Sequence, residues 1–322
     1  MEEKLVKILN EMADYLNISQ MKKLQETLLK HLAENEAKTE EIPNVEYLKM
    51  FIDAKQIEGC SERTLQYYRV TIEHMLGSID TPIRKITTDE IRGYLVDYQK
   101  VNNCSKVTVD NVRRNMSSFF CWLEEEDYIL KSPMRRIHKI KTKQPVKETI
   151  TDEMIEKLRD NCTCVRDLAM IDLLYSTGIR VGELVGLNIS DIDFEERECI
   201  VFGKGDKERR VYFDAKAKLH LQEYIESRTD DNPALFVTLD APHARLKISG
   251  VEIRVRELGR KSNIDKIHPH KFRRTMATRA IDKGMPIEQV QKILGHSQID
   301  TTMQYAIVNQ NNVKASHRRY IA

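Results

Sequence analysis

The chain has 322 residues, 41% of them hydrophobic and 32% charged, with 52 Lys and Arg against 50 Asp and Glu. That length exceeds a single core and suits two domains, and the near-balance of charge means that any nucleic-acid-binding surface has to come from local clustering rather than net charge. No apolar run is long enough to cross a bilayer, so no membrane partner is expected.

The six cysteines (Cys60, Cys104, Cys121, Cys162, Cys164 and Cys199) are scattered, and no apolar leader opens the chain. A reduced, cytoplasmic protein is predicted. The close pair Cys162 and Cys164 lacks the second pair or histidine that a zinc site needs, so no metal and no other cofactor is expected.

Residues 1 to about 38 carry apolar positions at helical spacing, interrupted around Asn17 to Gln20, which predicts two short amphipathic helices. From Met1 to Glu40 six lysines face eight acids, a poor balance for gripping phosphates. Residues 1–40 are therefore read as a helical extension, either a protein-contact element or a cap on the next domain.

Four helical patterns follow Pro43: Val45 to Gln56, Ser61 to Leu76, Thr87 to Lys100 and Ser105 to Glu126. Ser61, Thr87 or Thr88, and Ser105 stand at their starts as N-caps. Their apolar stripes predict one small all-helical domain over 41–130, with Trp122 at its edge. Arg63, Tyr67 and Arg69 on the second helix, and Lys106, Arg113 and Arg114 on the fourth, could meet a DNA backbone or simply form solvated faces.

Lys131 to Lys147, with prolines at 133 and 145, holds seven Lys or Arg and no acid. It reads as an extended basic linker over 131–148, with Arg135, Arg136, Lys139, Lys141 and Lys143 as DNA-facing cations.

From 149 to 322 the pattern becomes mixed α and β. A helix begins at Thr151, and a more apolar one runs from Val165 to Tyr175 and breaks at Ser176 to Gly178. The segment IRVGELVGL then puts Arg180 and Glu183 three apart on a short helix, so both can face one site. Cys199 to Phe202 and Arg209 to Phe213 read as two strands around GKGDK, a hairpin with Lys204 at its tip. That glycine pattern lacks the spacing and the Ser or Thr of a nucleotide-binding P-loop.

A helix near Ala215 to Arg228 and a short apolar strand at Leu235 to Val237 come next. Three more helices are predicted beyond them. The first carries His270 and Arg273, three apart, and ends at Gly284. The second opens at Pro286 and closes at Gly295, directly before His296. The third starts at Asp300 or Thr301 and carries Tyr305. Taken singly, Tyr305 is one of twelve tyrosines and either histidine could be a satisfied core residue. Spacing from His270 favours Arg273 over Arg274, and Lys204 over Lys207 rests on the hairpin tip.

In order, RVGEL from Arg180, Lys204 on the hairpin, HKFR from His270, GH at His296 and TTMQYA with Tyr305 resemble the tyrosine recombinase (phage integrase) family, and within it the simpler Xer-like members. The likeness runs over about residues 45 to 310. Phe272 and Arg274 depart from the family's usual leucine and histidine, and residues 1–40 extend beyond its two-domain form.

The resemblance implies a SAM-like, all-α core-binding domain and a mainly α catalytic domain with a small antiparallel sheet. It implies a catalytic set of Arg180, Lys204, His270, Arg273, His296 and Tyr305, needing neither metal nor ATP. Tyr305 would attack a DNA phosphodiester to give a 3′-phosphotyrosyl link, with Arg180 and Arg273 forked onto the phosphate, His270 taking the phenolic proton, Lys204 protonating the leaving oxygen and His296 donating to the phosphate. Glu183 would hold a histidine or arginine in orientation.

The implied partners are double-stranded DNA with inverted-repeat core sites, a homotetramer on two duplexes, and accessory proteins. The tail, with Val308, Val313, Tyr320 and Ile321, would pack on a neighbouring protomer. Integration or excision of a mobile element is the leading expectation because of the N-terminal extension, with Xer-type dimer resolution or DNA inversion as the alternative. A type IB topoisomerase-like enzyme and a non-catalytic DNA-binding regulator remain as readings of other classes.

Overall fold

The computed structural model describes residues 8–13, 15–37, 42–142, 148–203 and 208–305. Lys143, Lys204, Lys207 and the tail from 306 onward lie outside them. The chain forms two compact units, residues 1–144 and 145–322.

In the first unit, a helical turn at 8–12 precedes helix α1 (Ile18–Ala37). The break falls earlier than the apolar spacing suggests, because Asn17 and Gln20 cap reciprocally: Gln20 N–H donates to Asn17 Oδ1 at 2.9 Å and Asn17 N–H donates to Gln20 Oε1 at 3.1 Å. Four helices then build the helical core: α2 (Asn44–Ile57), α3 (Glu62–Leu76), α4 (Thr88–Val101) and α5 (Lys106–Glu125). Ser61, Thr87 and Ser105 cap the last three of these, each accepting a backbone N–H at N3, and Thr87 forms a full capping box with Glu90.

Phe51, Ile72, Met75, Ile91, Met116, Phe119 and Phe120 are fully buried where the four stripes meet. Trp122 is not at the edge of this domain. It follows Phe119 by three residues on the same helix face and packs against Phe51 and Tyr128, and its indole N–H has no partner among the described residues.

The basic segment also differs from an extended tether. Pro133–Arg136 is a single 3₁₀ turn, Ser132, Pro133 and Met134 are buried, and Ile137 and Ile140 pack on the helical core. Asp110 fixes the far end by accepting the Ile140 N–H at 3.0 Å. Apolar residues interleaved among the cations explain why residues 131–140 fold back onto the unit they leave.

The second unit begins with α6 (Asp152–Asp160), capped by Thr151, and α7 (Val165–Thr177), whose interior residues are almost all buried. Gly178 ends α7 at φ 63°, where a side chain would be strained and would also strike Met276. Helix α8 (Val181–Gly186) follows, and then an antiparallel sheet in the order β1 (Ile192–Asp193), β2 (Glu198–Phe202) and β3 (Glu208–Tyr212). Strand β1 had no counterpart in the sequence reading.

Helix α9 (Ala215–Glu226) packs on α7. Leu235 to Val237 does not join the sheet. Leu235 N–H donates to Leu187 and Phe236 accepts from Leu246, so this stretch threads the core through isolated bridges. Helix α10 (Ile248–Lys261) is an element the periodicity did not reveal. The chain then runs through α11 (Pro269–Asp282), α12 (Ile287–Leu294) and α13 (Ile299–Met303). Tyr305 lies in the turn beyond α13 rather than on a helix, its N–H donating to the Thr302 carbonyl at 2.9 Å.

Buried ion pairs lock the second unit. Asp172, 1% exposed, binds Arg159 and His220, and fully buried Asp167 binds Arg166 and Arg254. Each carboxylate meets two cationic or imidazole partners, which offsets the cost of burying it.

Candidate active site

Arg180 is the N-cap residue of α8, and Glu183 stands at N3. Glu183 reaches back to accept the Arg180 backbone N–H at 2.7 Å, the carboxylate half of a capping box, and accepts Arg180 Nη1 at 2.9 Å. The spacing of three that suggested a shared site thus makes a direct contact. A residue that the sequence reading left out completes it. Arg209, on β3, donates Nη1 and Nη2 to the two Glu183 oxygens at 2.7 Å each. Burial alone would raise the Glu183 pKa, but the Arg209 and Arg180 hydrogen bonds and charges outweigh it and hold the carboxyl below its usual value.

Arg209 was legible in one respect. On a strand, Arg209 and Val211 share a face, and a cation on the inward face beside a fully buried valine calls for a buried partner.

Arg273 projects from α11 and is 2% exposed. It donates Nη1 to the Gly178 carbonyl at 2.8 Å and Nη2 to the Leu294 carbonyl at 2.5 Å. The end of α7 and the end of α12 therefore converge on one guanidinium. Among the described residues no carboxylate pairs with it. Burial, and then the charge of Arg180, lower its pKa to about 10, which leaves it cationic at neutral pH. Arg274 points elsewhere, donating to the Glu148 carbonyl at 3.1 Å.

Gly295, left-handed at φ 63°, ends α12 and turns the chain into His296. Arg273 Nη2 lies 3.0 Å from His296 Nε2, and His296 Nδ1 lies 2.9 Å from Thr302 Oγ1. A guanidinium only donates, so Nε2 carries the lone pair and Nδ1 carries the proton, which Thr302 accepts. Burial, with the charges of Arg273, Arg180, Arg209 and His270 behind it, pushes the His296 pKa down to about 4. His296 is thus a neutral acceptor for Arg273 in this arrangement. The donation to phosphate that the resemblance implied would need that nitrogen, Nε2, to carry a proton. Fully buried Thr302, which accepts the Nδ1 proton, went unnoticed in the sequence as one of two threonines in TTMQY.

The Tyr305 ring stacks near His296, 6.1 Å between centroids at 25°, and packs on Ala277, Val290 and Leu294 at 9% exposure. It lies within electrostatic reach of Arg273 and Arg274. His270 is exposed at the start of α11, its ring parallel to that of His268 at 6.4 Å. The structure therefore gathers Arg180, Glu183, Arg273, His296 and Tyr305, with His270 exposed at the start of α11. Lys204 falls outside the described residues.

Of the candidate DNA contacts, Arg63, Tyr67 and Arg69 on α3 and Lys106 and Arg114 on α5 are exposed, and the two helices are joined by Asn115 donating to Thr71 at 3.0 Å. Arg113 is instead half-buried and paired with Asp110 at 2.8 Å. Arg135 pairs with Glu124 at 3.2 Å but stays exposed, as do Arg136, Lys139 and Lys141.

The comparisons with known proteins agree with this architecture. Residues 146–312 match the phage integrase family, and residues 47–130 match the phage integrase N-terminal SAM-like domain. Among curated relatives, the tyrosine recombinase XerC of Oceanobacillus iheyensis is 30% identical over 290 residues, spanning 85% of this chain and 95% of that protein. The tyrosine recombinase XerA of Pyrococcus furiosus is 30% identical over 85% of this chain and 93% of its own length.

Among solved structures, the integrase of transposon Tn1549 in complex with transposon right end DNA is 20% identical, with a TM-score of 0.72 over 86% of this chain and 99% of that one. The site-specific recombinase XerH bound to palindromic difH substrate is 19% identical, with a TM-score of 0.67 over 97% and 94% of the two chains. These last two likenesses establish the fold. The chain belongs to the phage integrase family of tyrosine recombinases, enzymes that cleave and rejoin DNA.

Proposed function

We propose that Tyr305 is the nucleophile of a site-specific DNA strand transfer, acting on a phosphodiester held by Arg273 and Arg180. The observation that carries this reading is Arg273, a buried cation that sits beside a tyrosine and has no carboxylate partner among the described residues. An unpaired buried charge is costly, and an anionic phosphate is the ligand that would compensate it. The Tyr305 oxygen forms a bond to phosphorus as the bond to the 5′ oxygen breaks. The phenolic proton passes to His270, and the leaving 5′ oxygen takes a proton from Lys204. The resulting 3′-phosphotyrosyl ester keeps the bond energy, so a 5′-hydroxyl from another strand reverses the step without ATP. His296 serves by orienting Arg273.

The exposed cations of α3, α5 and the 135–141 segment would track the DNA backbone. A homotetramer on two duplexes bearing inverted-repeat core sites, with accessory proteins, is the assembly we propose. The leading biological role is integration or excision of a mobile element, with residues 1–40 as a protein-contact segment that influences assembly. The second reading is Xer-type dimer resolution, favoured by curated Xer relatives that match over nearly their whole length.

The test is covalent capture. The full chain is incubated with nicked duplexes carrying randomised arms, and SDS-resistant adducts are sequenced to recover the site. Adducts are expected from the wild type and none from Tyr305→Phe, which should bind the recovered duplex within about threefold of wild type. Adducts persisting in Tyr305→Phe would overturn the reading. A wild type that binds DNA without adducts is a regulator, and one that relaxes plasmids lacking the recovered site is topoisomerase-like. A site found at the ends of an element around the gene supports integration, and one found once in the chromosome supports dimer resolution.

A further inference from the structure

We propose that Arg209 is a positioning residue of this active site: it saturates the Glu183 carboxylate so that Arg180 stays available to the phosphate, and it ties the sheet to the turn that presents His296. The inference rests on the assignment of Arg180 and Tyr305 given above.

Three observations converge on it. First, each Glu183 oxygen receives one donor from Arg180 and one from Arg209, so four donors fill the carboxylate. Without Arg209, a carboxylate only 5% exposed would be left facing a single cation. Arg180, whose side chain is 42% exposed and held by one Glu183 oxygen and the Gly295 carbonyl at 3.3 Å, is the group free to swing onto it. A phosphate-binding guanidinium would thereby be withdrawn from the site.

Second, Arg209 Nε donates to the Ile293 carbonyl at 2.9 Å, near the end of α12. Third, Gly295 is moulded to Arg209: a Cβ on that residue would stand 2.9 Å from Arg209 Cδ and 3.1 Å from Nε. Gly295 also faces Arg180 through its carbonyl and directly precedes His296. One guanidinium, 11% exposed, thus fixes the spacing between α8, β3 and the His296 turn. Lysine could keep the charge but not the fork and the third contact.

Arg210 provides an internal control. It neighbours Arg209 on β3 and pairs with Glu198 at 2.6 Å, yet is 61% exposed on the other face of the strand.

The experiment uses the full chain and the nicked duplex recovered by covalent capture, measuring single-turnover adduct formation at saturating DNA, duplex affinity and melting temperature. Arg209→Gln is expected to slow adduct formation by about 100-fold with affinity within about threefold, and Arg209→Lys to fall between it and wild type. Arg210→Gln should match wild type.

The decisive variant is Arg209→Gln with Glu183→Gln. Neutralising the stranded carboxylate releases Arg180, so the double variant should be faster than Arg209→Gln alone by at least about fivefold, a non-additivity that general loss of packing does not produce. If Arg209→Gln does not fold, the same comparison is made between Arg209→Lys and its Glu183→Gln double. Additive losses, or a wild-type rate in the Arg209 variants, would sink the proposal while leaving the Tyr305 assignment standing. Absence of adducts from the wild type itself would instead remove the assignment on which it rests.

Discussion

The two arginines of the site are held by opposite means. Arg180 sits at the rim, where it and Arg209 share a single carboxylate. Arg273 sits inside, bound by two carbonyls and a neutral imidazole. Carbonyls and a lone pair fix a guanidinium's position without cancelling its charge, whereas at the rim Glu183 offsets one of the two guanidinium charges. A phosphate gains most from Arg273, and Arg180 is the adjustable second contact.

The sharpest way to break this contrast is to remove the buried charge. Arg273→Gln should slow adduct formation by about 1000-fold, the scale of losing a preorganised charge-stabilising donor. Inorganic phosphate should raise the melting temperature of the wild type by mass action, and this shift should vanish in Arg273→Gln. If phosphate stabilises both proteins equally, Arg273 is not the anion site. Arg180→Lys keeps the rim charge and loses the fork, and a smaller loss of about 30-fold is expected in the same adduct assay. A greater loss there than in Arg273→Gln would invert the contrast.

The buried wall also sets a pH dependence. The folded His296 pKa, about 4, lies below the ordinary histidine value, so its protonation opposes folding. Its share of stability is complete above about pH 6.5 and is lost as pH falls toward 4, on the order of 1 kcal/mol after allowance for solvent. Denaturation followed between pH 4 and 7 should show a shallower slope in His296→Gln than in wild type. Thr302→Val removes the acceptor for Nδ1–H and should cost about 1 kcal/mol, with Thr302→Ser retaining most of it.

The legible parts of this molecule are local. Ser61, Thr87, Ser105 and Thr151 announce their helices because a cap bonds only three residues ahead. Arg180 with Glu183, and Gly295 before His296, are readable for the same reason. The unread parts depend on distant partners. Arg209 meets Glu183 across 26 positions and Ile293 across 84. Helix α10 carries Gly250 and Gly259 within its span, the second against Ile264 and Ile267, where tertiary packing overrides weak local propensity. Residues 131–140 of the charge run read as a tether because their few apolar residues follow no helical or strand period, although Met134, Ile137 and Ile140 are what anchor them.

That anchoring yields the smallest expected effect. Asp110 accepts both Arg113 Nε at 2.8 Å and the Ile140 N–H at 3.0 Å, and the Arg113 bond, against the opposing effect of burial, keeps its pKa below the usual carboxylate value. Its contribution to stability is present above about pH 3.8 and is lost as pH falls through the lower folded value. Asp110→Asn keeps a carbonyl acceptor for Ile140 but not the charge that Arg113 requires, and should destabilise the helical unit by about 0.5–1.5 kcal/mol. It also frees Arg113 as a cation for DNA. Duplex binding by Asp110→Asn should therefore fall more steeply with salt than wild-type binding, by about one unit in the log–log slope. An unchanged slope would show that Arg113 lies off the DNA path and serves only to hold the basic segment against α5.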